Sequence, residues 1–188
     1  VMPTPAVAFL VGKYKADAGI MISASHNPCE YNGIKIFQKS GYKLDDSLEE
    51  EIEAIILDKS EKIDYKIGGE VGNATKCKSA VKDYIEHVVG TTDVKFDGLK
   101  IALDCANGSA SVCAKEIFTS LGAKCFMLSD TPDGVNINDK CGSTHPEELM
   151  KFVKDAGLDL GLAFDGDADR MLAVDENGEL VDGDKVIA

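Results

Sequence analysis

The chain has 188 residues, 44% of them hydrophobic, and its 33 acidic against 20 basic side chains leave a net charge of −13. That is enough apolar material for a core in one or two domains, while the negative balance and the lack of a basic patch argue against a nucleic-acid partner. No apolar run approaches the roughly 20 residues of a membrane span, and nothing over residues 1–10 looks like a signal peptide, so no membrane partner is expected.

Pro5–Lys13 reads as a short helix with proline near its first turn. Ala18–Ser23 reads as a buried strand, and Gly33–Gln38 as a second one after a loop rich in Ser, Asn and Pro. Leu48, Ile52, Ile55 and Ile56 recur at helical spacing behind Asp45 or Asp46 as a cap, which predicts a helix to about Asp58. Val81, Tyr84, Ile85 and Val88 predict another, closed by Gly90. Thr91–Gly98 is polar and aperiodic, and the domain boundary falls there, dividing the chain into 1–92 and 93–188. A new α/β unit then begins: strand Leu99–Cys105, a turn at Asn107-Gly108, helix Ser111–Leu121 ended by Gly122, and strand Lys124–Leu128. Ser129–Thr144 is a long loop, of the kind that tends to carry function. Pro146 opens a helix over Glu147–Ala156 with Leu149, Phe152 and Val153 facing inward, and Leu158–Phe164 is an apolar strand. Met171–Asp175 and Glu179–Asp182 form a hairpin around Asn177-Gly178. Strands alternating with helices point to layered α/β domains, and the hairpin makes the sheet mixed.

The six cysteines (29, 77, 105, 113, 125 and 141) form no C-x-x-C pair, and 105, 113 and 125 sit within apolar strand or helix patterns. They read as small core residues of a protein in a reducing compartment, the cytoplasm, and not as zinc ligands or a disulfide frame. The chain opens on Val1-Met2-Pro3 and closes on the apolar Val186-Ile187-Ala188, so a piece of a longer protein is expected.

Two loops carry chemistry. Asp165-Gly166-Asp167-Ala168-Asp169-Arg170 follows the apolar strand, and alternate residues of an extended loop point the same way, so its three carboxylates can converge. Three like charges that close need a cation, and a hard, oxygen-preferring one such as Mg²⁺ or Ca²⁺ suits them. Arg170 is the only arginine in the chain, and a planar fork of donors beside a divalent ion suits a phosphate. By itself the segment fits a solvated acidic turn equally well. It also places acids at positions 1, 3, 5 and 12 (Glu176) of an EF-hand loop, although Arg170 stands where such a loop needs glycine and strands flank it in place of helices. The second loop, Ser23-Ala24-Ser25-His26-Asn27-Pro28, closes the first strand. Alone it fits a capped turn. It is not a G-x-S-x-G elbow, and His26 is badly placed to act as base for its neighbour Ser25.

The pairing of these two loops, about 140 residues apart, resembles the α-D-phosphohexomutase superfamily. The resemblance implies layered α/β/α domains with mixed β-sheets. It makes Ser25 the phosphorylated catalytic serine and a metal neighbour, with Asp165, Asp167 and Asp169 holding Mg²⁺. Lys35, in Asn32-Gly33-Ile34-Lys35, matches the lysine of the family's N-G-x-K and becomes the candidate general acid/base, for which a pKa lowered by nearby positive charge would suit. Arg170 would contact the phosphate and His26 hydrogen-bond it. The segments 104–108, 136–139 and 141–146 are most like the phosphoglucosamine mutase branch. That implies interconversion of glucosamine 6-phosphate and glucosamine 1-phosphate through a bisphosphate, with a phosphorylated hexosamine as partner and a homodimer of the full-length protein left open. Phosphoglucomutase or phosphomannomutase activity would use the same residues, and a calcium-binding or non-catalytic structural module is a further alternative. The family's usual D-G-D-G-D-R has Ala168 at its second glycine, which fits unless that residue needs a left-handed backbone. The N-terminal arginine motif, the sugar loop of a third domain and the phosphate loop of a fourth are missing from these residues, so the chain by itself is expected to be inactive.

Overall fold

A computed structural model of the chain describes residues 1–57 and 63–187. The first unit is a helix laid on a two-stranded ribbon. Helix α1 (Thr4–Lys13) has proline in its first turn and buries Thr4, Ala6, Leu10 and Val11 along one side. Strands β1 (Ala18–Ile22) and β2 (Ile34–Gln38) pair antiparallel, Ala18 opposite Gln38 and Ile22 opposite Ile34. Gly19 lets the helix lie against the ribbon, because a Cβ there would run into Val11 and Val7.

The opposite side of the ribbon is open: Ile20, Ile22 and Ile34 are 62%, 67% and 71% exposed. This corrects the sequence-based expectation of a buried first strand. Alternate residues point to opposite faces, and only one face of a two-stranded ribbon under a single helix can be covered. Helix α2 (Asp46–Leu57) forms as its periodicity predicts but buries none of its residues; its expected end at Asp58 lies outside the described residues.

Helix α3 (Ala80–Val89) connects the two units. Phe9 of α1 stacks on its His87, with ring centroids 3.9 Å apart, and its buried Ile85 packs with Cys113, Ile117 and Leu121 further along the chain. The second unit is built on a five-stranded sheet in the order β4-β3-β5-β6-β7, from β3 (Lys100–Asp104), β4 (Lys124–Leu128), β5 (Leu160–Phe164), β6 (Met171–Val174) and β7 (Leu180–Val181). β3 runs parallel to both neighbours, and β5, β6 and β7 run antiparallel in turn, so the sheet is mixed. Side-chain alternation sorts the core into two layers. Ile101, Leu103 and Leu162 face α4 (Ala114–Ser120), while Ala102, Ala163 and Val174 face Leu149 and Val153 of α5 (Glu147–Ala156). Each large side chain among these is at most 7% exposed, and burying one contributes roughly 1.5–3 kcal/mol.

Two local expectations change, and one further element is added. The helix expected over Ser111–Leu121 is split: a 3₁₀ turn, Ser109–Val112, breaks at Cys113 (φ −140°) before α4 begins. The turn is held from outside the helix, with the Ser109 N–H donated to Gly166 O and the Ser111 hydroxyl to Gly108 O. Strand β5 starts two residues late because the Leu158 N–H closes α5 on Val153 O. A short helix, α6 (Gly183–Ile187), opens behind Asp182, whose side chain accepts the Lys185 N–H. All six cysteines are free, with Cys29 and Cys77 exposed. Burial pushes the Cys113 thiol up to about 12, so it stays protonated as a core residue. Among the described residues no helix is long and apolar enough to cross a membrane.

Candidate active site

Strand β5 ends at Phe164, and the chain turns back into β6 through Asp165–Arg170, closed by Asp165 N–H to Arg170 O and Ala168 N–H to Asp165 O. Strands on both sides remove the EF-hand alternative, which needs two helices. Asp165 and Asp167 are fully buried and Asp169 is open to solvent; the three present carboxylate oxygens within 4.8 Å of one another. Ala168 takes φ +53°. The proviso attached to alanine at this position therefore fails: the residue is left-handed, and without a glycine the loop carries strain.

The serine loop leaves β1 and meets this turn from the other unit. Ser25 also sits in the left-handed region, at φ +57°, with its N–H donated to Ser23 Oγ. Its hydroxyl donates to Asp165 Oδ2 at 2.8 Å. Arg170 spans the junction. Its Nη2 donates to Ser25 Oγ at 2.6 Å and contacts His26 Nδ1 at 2.5 Å, and its Nε donates to Asp165 Oδ2 at 3.1 Å. Lys35 reaches in from β2, with Nζ 2.5 Å from Asp167 Oδ2 and 3.2 Å from Asp169 Oδ2. Every residue singled out in the two motifs, together with Lys35, thus lies in one cluster.

The electrostatics correct one expectation. A lowered lysine pKa would have suited catalysis. Burial does lower it, but the carboxylates of Asp167 and Asp169 outweigh burial and hold the Lys35 ammonium above its ordinary value. The neighbouring charges are negative, not positive. For Asp167 burial pushes the carboxyl up, yet hydrogen bonds from Lys35 and Thr4 prevail and hold it below the usual carboxylate range.

Thr4 is the residue that sequence reasoning missed. At the start of α1, its hydroxyl donates to Asp167 Oδ2 at 2.5 Å and its N–H to the Asp167 carbonyl at 2.9 Å. A Thr-Pro pair opening a helix is a visible signal for a helix start, but nothing local in it names a partner 163 residues away. The fit to a cation can be judged on the donors themselves. Three carboxylates face two cationic side chains, and Asp167 Oδ1 is buried with no hydrogen-bond partner. An all-oxygen, net-negative cluster with an orphaned buried oxygen suits a small hard divalent ion.

The family models for phosphoglucomutase/phosphomannomutase α/β/α domains I and II match residues 1–63 and 82–178. The chain belongs to the phosphoglucomutase/phosphomannomutase family. Over 187 residues, all of this chain, it is 58% identical to a phosphoglucosamine mutase of Clostridium novyi, and it spans 42% of that relative's length. Among solved structures it is similar to a family protein from Burkholderia thailandensis (27% identity, TM-score 0.75, covering 96% of this chain and 40% of that one). It also shares its fold with the N-acetylphosphoglucosamine mutase of Aspergillus fumigatus, solved with GlcNAc-6P and magnesium (21% identity, TM-score 0.53, covering 96% and 49%).

Proposed function

We propose that the protein carrying this chain is a phosphoglucosamine mutase, interconverting glucosamine 6-phosphate and glucosamine 1-phosphate through a phosphoserine and a bisphosphate intermediate. The observation that carries the reading is the placement of Ser25 Oγ between Asp165 Oδ2 at 2.8 Å and Arg170 Nη2 at 2.6 Å, across two units of the fold.

In the forward direction the phosphorus–oxygen bond at Ser25 breaks as a bond forms to the free sugar hydroxyl. The second phosphate of the resulting bisphosphate then returns to Ser25. Such transfers need neutralised phosphoryl oxygens and in-line placement more than covalent chemistry. Asp165, Asp167 and Asp169 would hold Mg²⁺, which would supply positive charge for the phosphoryl oxygens. Arg170 grips a phosphoryl oxygen with the same Nη2 that holds the serine, and His26 orients that guanidinium. Lys35 moves the proton of the attacking or leaving sugar oxygen.

The test is a coupled assay of the full-length protein on glucosamine 6-phosphate with catalytic sugar bisphosphate, with glucose 6-phosphate and mannose 6-phosphate run beside it. Turnover on the amino sugar, a single phosphate on Ser25 by intact mass, and loss of both in Ser25→Ala are the expected results. Preference for glucose or mannose phosphate would overturn the amino-sugar assignment in favour of a phosphoglucomutase or phosphomannomutase. The 188-residue chain alone should read background, because it spans only 42% of its relative's length and lost positioning can remove about 7–11 kcal/mol of barrier lowering.

A further inference from the structure

The long loop between β4 and α5 reaches the serine loop through one side chain, Asn138. The residue is 7% exposed and sits at φ +56°, a conformation that asparagine tolerates well. Its Nδ2 donates to two carbonyls at once, Ser25 O at 3.0 Å and Asn27 O at 2.9 Å, so one amide group holds the serine loop on both sides of His26. The other hydrogen bonds described for the 24–27 backbone come from within the loop itself, from Ser25 N–H to Ser23 Oγ and Asn27 N–H to Ala24 O. Asn138 is in turn anchored in the second unit. Its N–H donates to Ala106 O, and Ala106 and Gly142 both donate their N–H groups to the buried carboxylate of Asp104 at the end of β3.

The acidic loop closes the same junction. A Cβ on Gly166 would lie 2.5 Å from Ser25 O and 2.9 Å from Asn138 Nδ2, so serine loop, acidic loop and Asn138 meet with no space between them. Ser25 needs such an external hold, because a non-glycine residue in the left-handed region persists only where its surroundings over-determine it.

We propose that Asn138 is a positioning residue for phosphoryl transfer: its amide clasps the Ser25 and Asn27 carbonyls and so fixes the Ser25 hydroxyl against Asp165 and Arg170. This rests on the mutase reading above. The clasp requires donors. Aspartate has the same shape and also accepts a left-handed backbone, but it would turn carboxylate oxygens toward two carbonyl oxygens. Glycine would keep the backbone and leave both carbonyls unpaired.

The experiment compares wild type, Asn138→Asp and Asn138→Gly in the full-length protein by steady-state kinetics on glucosamine 6-phosphate and by amide hydrogen exchange. The expected result is a 10- to 100-fold fall in kcat, the scale of a displacement of about 1 Å at the reacting group, with KM within twofold of wild type. Exchange over residues 23–28 should accelerate at least tenfold while β3 and β5 keep their protection. Unchanged kcat, a change confined to KM, or unaltered exchange over 23–28 would each overturn the proposal. So would loss of protection in β3 and β5 in both variants, which would make Asn138 a residue of the fold. Absence of turnover in the wild type would remove the mutase reading alone, since the exchange comparison still decides the clasp.

Discussion

Replacing Lys35 with methionine should tighten Mg²⁺ binding while it disables the enzyme. The Lys35 ammonium lies 2.5 Å from Asp167 Oδ2 and 3.2 Å from Asp169 Oδ2, and these residues supply two of the three carboxylates that could hold a divalent ion. Lysine and metal therefore compete. A hydrogen bond between charged groups contributes roughly 1.5–3 kcal/mol, and here part of that is offset by desolvation of the buried Asp167. If ion entry sacrifices about 1.4 kcal/mol of the lysine contact, deleting the lysine raises affinity about tenfold. Methionine keeps much of the stem's length and apolar packing while removing the charge. Isothermal titration of Mg²⁺ into the sugar-free chain should give a Kd about tenfold lower for Lys35→Met than for wild type. Asp167→Asn should move Kd at least tenfold the other way. Mg²⁺ binding that is unchanged or weaker in Lys35→Met would refute the competition and detach Lys35 from the metal site.

Thr4→Val removes the hydroxyl that reaches the buried Asp167 carboxylate and should lower stability by about 1.5–3 kcal/mol, measured by urea unfolding without metal. The pH dependence has a defined sign. Asp167 has a folded pKa below its ordinary value, so its stabilisation is complete above the unfolded value of about 3.9 and is lost as pH falls through the lower folded value. Urea midpoints of Thr4→Val should therefore decline less steeply over that acidic window than those of wild type. Ala168→Gly relieves a left-handed alanine worth about 1–2 kcal/mol, less the roughly 0.4–1 kcal/mol by which glycine loosens the unfolded chain. A net gain of about 0.5–1 kcal/mol should appear in the same denaturation assay.

What the sequence discloses follows from how local each determinant is. The apolar run before Asp165 and the Asn177-Gly178 turn announce β5, the acidic loop and the hairpin because period and turn chemistry lie within a few residues. What stays hidden depends on partners far away. Ile20 and Ile22 look like buried-strand residues, but their exposure depends on whether a second layer covers the ribbon. The split at Cys113 is set by Gly166 O taking the Ser109 N–H, a contact across 57 positions that helical periodicity cannot register. Asn138 was visible only as part of a loop motif, and its grip on Ser25 needs the fold to bring 113 positions together. The Lys35 pKa direction also escaped, because a lysine in a strand gives no hint that two carboxylates will face it.

Besides the Ser25 and His26 side chains that meet Asp165 and Arg170, the contact between the serine loop and the second unit uses main-chain atoms on the serine side. Asn138 grips the carbonyls of Ser25 and Asn27, Gly166 packs on the Ser25 carbonyl, and Thr4 N–H meets the carbonyl of Asp167. This part of the seam reads the path of the backbone, while Thr4, Ser25, His26 and Lys35 read the second unit through their side chains. Hybrid proteins that join the first unit of one family member to the second unit of another should therefore assemble a working junction, provided that the donor of the second unit carries Asn138, Gly166, the three aspartates and Arg170 and the donor of the first carries Thr4, Ser25, His26 and Lys35. Recombination between relatives then becomes a practical way to vary the two units around a fixed pair of contacting loops.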